Sequence, residues 1–217
     1  MTTVGLSTTG LAPATKTGWS RWTGLTGVLF GLILAVSVTA TGGMPDAKNA
    51  AKVQAWDLKH TGLLNVSWFA TTVAVMVGLY FLTWLHAQLG GRDSGLIGNL
   101  YLVGMVFFAM SGAVQAGLHA TVSTDTKHLS TSSLQLMADL TQNFNWGMAC
   151  IGLALMYLGA GYLIRRSGLL PGWLAWVSWV FALTAFSVIL GFIALLGTAL
   201  WVIVVGIMLT VRRTAAG

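Results

Sequence analysis

From Ser167 to Val211 the chain runs for 45 residues without a charged side chain. A bilayer core takes about 20 apolar residues per helix, so the stretch predicts two crossings joined by a turn. Arginine pairs bracket it, Arg165-Arg166 before and Arg212-Arg213 after. Two crossings return a chain to the side it left, which puts both pairs on one face of the membrane. The positive-inside rule makes that face the cytoplasm. Across all 217 residues only 7% are charged and 56% are hydrophobic, against about 25% charged in soluble domains. The same reading therefore extends to the rest of the sequence.

The fold class predicted is all-α, a polytopic transmembrane bundle of six helices with both termini cytoplasmic. Residues 1–22 form a disordered tail, rich in Thr, Ser and Gly over Met1–Gly18, and end in a collar of Lys16, Trp19, Arg21 and Trp22. The transmembrane domain covers 23–213, with helices over 23–41, 63–88, 95–119, 143–165, 173–190 and 194–211. Val38-Thr39-Ala40 offers small residues for a signal-peptide cleavage, but the apolar run before it is longer than a typical h-region of about 7–15 residues. A retained first helix is the favoured reading. Gly27, Gly31 and Ala35 recur every four residues, a small-residue face that lets another helix approach.

Between the first two helices, residues 46–60 mix Ala47, Ala50, Val53, Trp56 and Leu58 with Lys48, Lys52, Asp57 and Lys59. This predicts an amphipathic segment on the outer surface, with Asp46 as its cap. Tight cytoplasmic turns are expected at Gly90-Gly91 and at Ser167–Gly172. An outer loop is expected over Ala120–Thr131, followed by a capping box at Ser132-Ser133-Leu134-Gln135. A helix running unbroken from there to Arg165 would exceed the bilayer, so its first turns should project or bend. The last turn is expected between Gly191 and Gly197.

The charges agree with this topology. All six arginines and Lys16 fall inside with Asp93, whereas Lys48, Lys52, Lys59 and Lys127 fall outside, balanced by Asp46, Asp57, Asp125 and Asp139. The whole excess of +6 lies on one face, so the basic balance reflects topology and nucleic acid is not an expected partner. The expected partners are the lipid bilayer, other membrane proteins or a second copy.

No helix carries Asp, Glu, Lys or Arg through its middle, and Pro13, Pro45 and Pro171 lie in tails or loops. Ion-coupled carriers usually keep such buried charges or interrupted helices. The most informative polar constellation is on the outer half. Ser111, Gln115 and His119 fall at i, i+4 and i+8, one stripe on one helix face. His60, Asn65, Asn143 and Asn145 enter at the same depth. These seven are the candidates for a polar pocket. His60, His119 and His128 are candidate ligands for zinc or copper, metals that imidazole suits, although no close-set ligand motif supports them. A haem held between His60 and His119 is a weaker alternative. No catalytic residue is assigned: there is no GxSxG and no visible triad. Cys150, alone, excludes an internal disulfide.

Three stretches carry a resemblance: Asp46-Ala47-Lys48-Asn49-Ala50-Ala51 leading through Lys59-His60-Thr61-Gly62, Leu82-Thr83-Trp84-Leu85-His86-Ala87-Gln88-Leu89, and Arg166-Ser167-Gly168-Leu169-Leu170-Pro171-Gly172-Trp173-Leu174-Ala175-Trp176. In these the chain resembles a family of uncharacterised bacterial, often actinobacterial, six-helix integral membrane proteins. The resemblance implies fold and topology and supplies no site residues. Three functional expectations follow. The first is a non-enzymatic structural or interaction component of the cell membrane. The second is a membrane enzyme or metal-binding protein using an outward-facing polar, histidine-bearing pocket. The third is a passive pore or carrier for a small uncharged solute.

Overall fold

The structure is a computed structural model describing residues 22–40, 45–187 and 190–214, with side chains to Val211. Residues 1–21 of the predicted tail, with Lys16, Trp19 and Arg21 of the collar, lie outside the described residues, as do the side chains of Arg212 and Arg213; Trp22, the last residue of that predicted tail, opens α1. The elements are helical: α1 (Trp22–Ala40), α2 (Ala50–Lys59), α3 (Thr61–Gln88), α4 (Gly95–Asp125), α5 (Thr131–Asp139), α6 (Trp146–Ser167), α7 (Gly172–Phe186) and α8 (Gly191–Thr214). A π-helical segment, Leu140–Asn145, joins α5 to α6. Five runs are long and apolar enough to cross a membrane: α1, α3, α4, α8 and the continuous Thr131–Ser167. The 15 residues of α7 span about 22 Å, short of a bilayer core of about 30 Å.

Contacts between neighbours run in opposite directions along the two chains, so the helices alternate. In α1 and α3, Phe81 sits on Gly27, Phe30 sits on Gly78, and Ser37 is hydrogen-bonded to Thr71. For α3 and α4 the ladder is Leu82 with Tyr101, Val75 with Gly112 and Ser67 with His119. In α4 and α6 it is Tyr101 with Gly159, Gly104 with Gly152 and Ser111 with Asn145. The start of α1, the α3–α4 and α6–α7 turns and the end of α8 consequently share one end of the bundle, with Arg92, Arg165 and Arg166. The α2 and α5 helices cap the other end. There Val53 of α2 packs with Ala138 of α5, and Leu64, Val122 and Leu134 form a second small core.

The small-residue face of α1 is divided between two neighbours. A Cβ on Gly27 would lie 2.5 Å from the Phe81 ring of α3, whereas one on Gly31 would lie 2.6 Å from the Ala199 carbonyl of α8. Gly24 completes the α8 side, where Gly206 meets its carbonyl. Ala35 packs on the core beside them. A close backbone approach is found elsewhere. A Cβ on Gly104 of α4 would come within 2.2 Å of the Met156 amide nitrogen of α6, so the two backbones touch. At the third seam, Trp201 of α8 donates to Ser178 of α7 (3.1 Å), and Tyr157 of α6 donates to Thr198 of α8 (2.8 Å).

Several boundaries depart from the sequence reading, each for a local reason. Helix α4 continues to Asp125, six residues past the predicted end, because nothing in Ala120–Thr124 breaks it and Val122 is buried against Leu64 and Leu134. The cap of α5 is Ser130, whose hydroxyl accepts from the Ser133 amide at 3.1 Å, two residues before the predicted box. Asn49, not Asp46, caps α2 by accepting from the Lys52 amide (3.1 Å); Asp46 accepts from the Lys48 amide in the preceding turn. Gly191 and Gly197, expected to flank the last turn, both lie in α8, with Gly197 under the Phe181 ring. The turn itself falls earlier, after Phe186. The Gly90 and Gly168 turns stand as predicted, each glycine at positive φ (72° and 60°), where a side chain is disfavoured.

Candidate functional site

Helices α1, α3, α4, α6 and α8 form the walls of a cavity of about 470 Å³, within the range of small-molecule sites. On α4 its lining extends from Met105 to His119, about 21 Å of helix. The two halves differ in chemistry. Toward the α2 end the wall carries Ser37, Thr71, Ser111, Gln115, His119 and, from the π segment, Thr141, Gln142 and Asn145. Deeper in, it is Phe30, Leu34, Gly78, Leu82, Met105 and Phe108. No Asp, Glu, Lys or Arg among the described residues lines it.

The polar head is held by contacts between helices. Ser67 of α3 lies 3.1 Å from Nδ1 of His119. That contact engages one ring nitrogen and leaves Nε2 as a donor in one neutral tautomer and an acceptor in the other. The Ser111 hydroxyl donates to the Asn145 carbonyl (3.3 Å), and Thr141 donates to the Met137 carbonyl (2.9 Å). These side chains take backbone carbonyls on either side of the irregular turn, a recognised way to break an α-helical ladder. Gln142 ties the turn to the α2 approach, accepting from the Ala47 amide (3.1 Å) and donating to the Pro45 carbonyl (2.9 Å). His119 Nε2 and Asn145 Oδ1 are buried and find no hydrogen-bond partner among the described residues. Polar atoms in that state are uncommon and costly.

Of the seven candidate pocket residues, the structure brings together Ser111, Gln115, His119 and Asn145. The remaining three lie elsewhere. Asn65 is exposed and accepts from Trp68 (3.0 Å); Asn143 is exposed and faces Asp139 (3.5 Å). His60 stacks on Trp56 with ring centroids 4.5 Å apart, its Nδ1 2.8 Å from the Trp56 carbonyl. His128 is exposed in the α4–α5 loop. The proposed metal set of His60, His119 and His128 is thus dispersed over a half-buried ring, a buried ring and a loop. Among the described residues no three His, Cys, Asp or Glu side chains are placed to hold a metal ion. His119 lines the cavity described above and His60 does not.

Sequence reasoning missed Ser37, Thr71, Thr141 and Gln142, and the apolar depth of the cavity. Only the α4 stripe carried a period; the rest are single Ser, Thr or Gln residues contributed by separate helices. Asp57 was also missed. It is 1% exposed, with Oδ1 unpartnered, because it follows Val53 by one turn on the face of α2 that packs inward. Burial pushes its carboxyl up to about 6, against a smaller opposing effect of the His60 charge.

Comparison with protein-family models, with characterised proteins and with solved structures finds no match to the chain.

Proposed function

We propose that this is an integral protein of the cell membrane that holds a small, uncharged amphipathic molecule in the five-helix cavity, as a binding protein or passive carrier. The observation that carries the reading is the division of that cavity. An uncharged hydrogen-bonding head, with the Gln115 amide and a free acceptor at Asn145, sits above an apolar body. A hydroxyl or amide group would satisfy the head, and a hydrocarbon or isoprenoid-like portion would fill the depth. An ionised ligand would find no countercharge there. In this reading the arginine-bearing end faces the cytoplasm, as the positive-inside rule asks. Six crossings then place both termini on that side, α7 and the turn after it making the fifth.

The test is mass spectrometry of small molecules extracted from protein purified in mild detergent. Wild type should retain one uncharged amphipathic species near stoichiometry. Ala109→Trp, which fills the cavity from α4, should lose it, and Gln115→Leu should retain several-fold less. Identical extracts from all three proteins would overturn the proposal.

A further inference from the structure

Beyond the cavity head, toward α2, lies a second, much smaller void of about 10 Å³, lined by Asp57, His119, Thr141 and apolar residues of α3, α4 and α5. That is about the space of one water. A buried water needs two to four polar partners, and three polar side chains line this void: Asp57 and His119, whose Oδ1 and Nε2 find no partner among the described residues, and Thr141. His119 and Thr141 also line the main cavity. We propose that Asp57, Thr141 and His119 hold a single water and share one proton through it, linking α2 to the head of the cavity.

The step is balanced. The Asp57 carboxyl gives its proton to the water, and the water gives one to Nε2 of His119, while Nδ1–H donates to the Ser67 hydroxyl. A carboxylate and an imidazolium replace two neutral groups, and the water is unchanged. Thr141 orients the water, its own proton committed to the Met137 carbonyl, so that its oxygen acts as acceptor. Two separate buried polar atoms that each lack a partner are thereby explained by one molecule.

The charged and titratable surroundings of Asp57 leave this proton few competitors. His60 lies one turn away at the α2–α3 junction and acts on Asp57 through its charge. From α4 comes His119. On α5, no titratable group lines the void, and Asp139 at its end is engaged with Asn143. Lys52 and Lys59 of α2 itself are exposed.

The geometry does not depend on what fills the main cavity, so the test uses the full chain in detergent with no added ligand. Its failure would leave the ligand reading standing, and the reverse holds too. Among the described residues Asp57 is the one buried carboxyl group; Asp46, Asp93 and Asp125 are exposed and Asp139 is half-buried. Infrared difference spectroscopy across a pH titration should find a protonated-carboxyl band that shifts in heavy water and is missing in Asp57→Asn. His119→Phe and the near-isosteric Thr141→Val each remove a partner of the water that stabilises the carboxylate. Each should raise the midpoint of that band, His119→Phe by about one pH unit or more, as coupled sites do. A wild-type spectrum without the band would overturn the proposal, as would a midpoint unmoved by both substitutions. Thr141→Val keeps the test open should the ring substitution fail to fold.

Discussion

Ser67 on α3 and His119 on α4 meet at 3.1 Å, both buried, and this contact decides which ring nitrogen is left without a partner. Without the hydroxyl, the imidazole has no fixed partner and either nitrogen can turn to either void. Ser67→Ala should lower stability by about 1 kcal/mol, the usual net value of a buried hydrogen bond. Thermal unfolding in detergent measures this. A second effect separates positioning from mere stability: the tautomer balance of His119, read from imidazole nitrogen chemical shifts, should become mixed in Ser67→Ala and recover in Ser67→Thr.

The α4–α6 seam makes a sharper prediction, because what lies opposite the glycines is backbone. Gly104→Ala or Gly152→Ala would place a methyl 2.2–2.6 Å from backbone atoms of the partner helix, and neither helix can yield without moving as a whole. Each substitution should cost roughly 3 kcal/mol or more. Gly117, on the same helix, has nothing within 4 Å of its would-be Cβ. Gly117→Ala should therefore be neutral or stabilise by about 0.5–1 kcal/mol through helix propensity. Equal Tm losses for all three variants would refute the seam.

How far such features could be read from the sequence depends on whether the information is periodic or pairwise. The five long spans and the turns at Gly90-Gly91 and Gly168 were legible because hydrophobic runs and glycine signals are local, whereas the last turn was not. The α4 half of the cavity head was legible because Ser111, Gln115 and His119 repeat at helical spacing. Gly104 and Gly152 carried no such mark: each is one of 27 glycines, and its role exists only with the partner helix in place. Asp57 misled for the same reason. In an amphipathic segment a carboxylate reads as solvated, and only the docking of α5 on α2 turns that face inward. Helix ends erred where tertiary packing overrode local signals, as Val122 does in carrying α4 through to Asp125.

The charge asymmetry gives a test of orientation. With the buried Cys150 replaced by Ala, single cysteines at His128 and Arg92 would sit at exposed positions on opposite ends of the bundle. In intact cells a membrane-impermeant maleimide should label His128→Cys, and label Arg92→Cys only after the membrane is opened. The reverse pattern would invert the topology; labelling of both in intact cells would remove the bundle from the bilayer altogether.

Asp57 also makes stability depend on pH, in a direction opposite to most carboxylates. Its carboxyl is raised from 3.8 to about 6, first by burial and in spite of the His60 charge. Between those two values the folded protein holds a proton that the unfolded chain has released, so stability falls as pH rises. The contribution is fully present below about pH 4 and is lost as pH passes through about 6. Part of the group's surroundings is solvent-screened, so the effect should be about 1–2 kcal/mol, less than the full shift would give. Asp57→Asn keeps the shape and removes the titration. It should match wild type at about pH 4.5 and exceed it by about 1–2 kcal/mol at about pH 7.5, where the native carboxylate is buried and charged. Unfolding midpoints of the two proteins at the two pH values decide the matter, and a variant less stable than wild type at the higher pH would show that the ionised carboxylate is well satisfied where it lies.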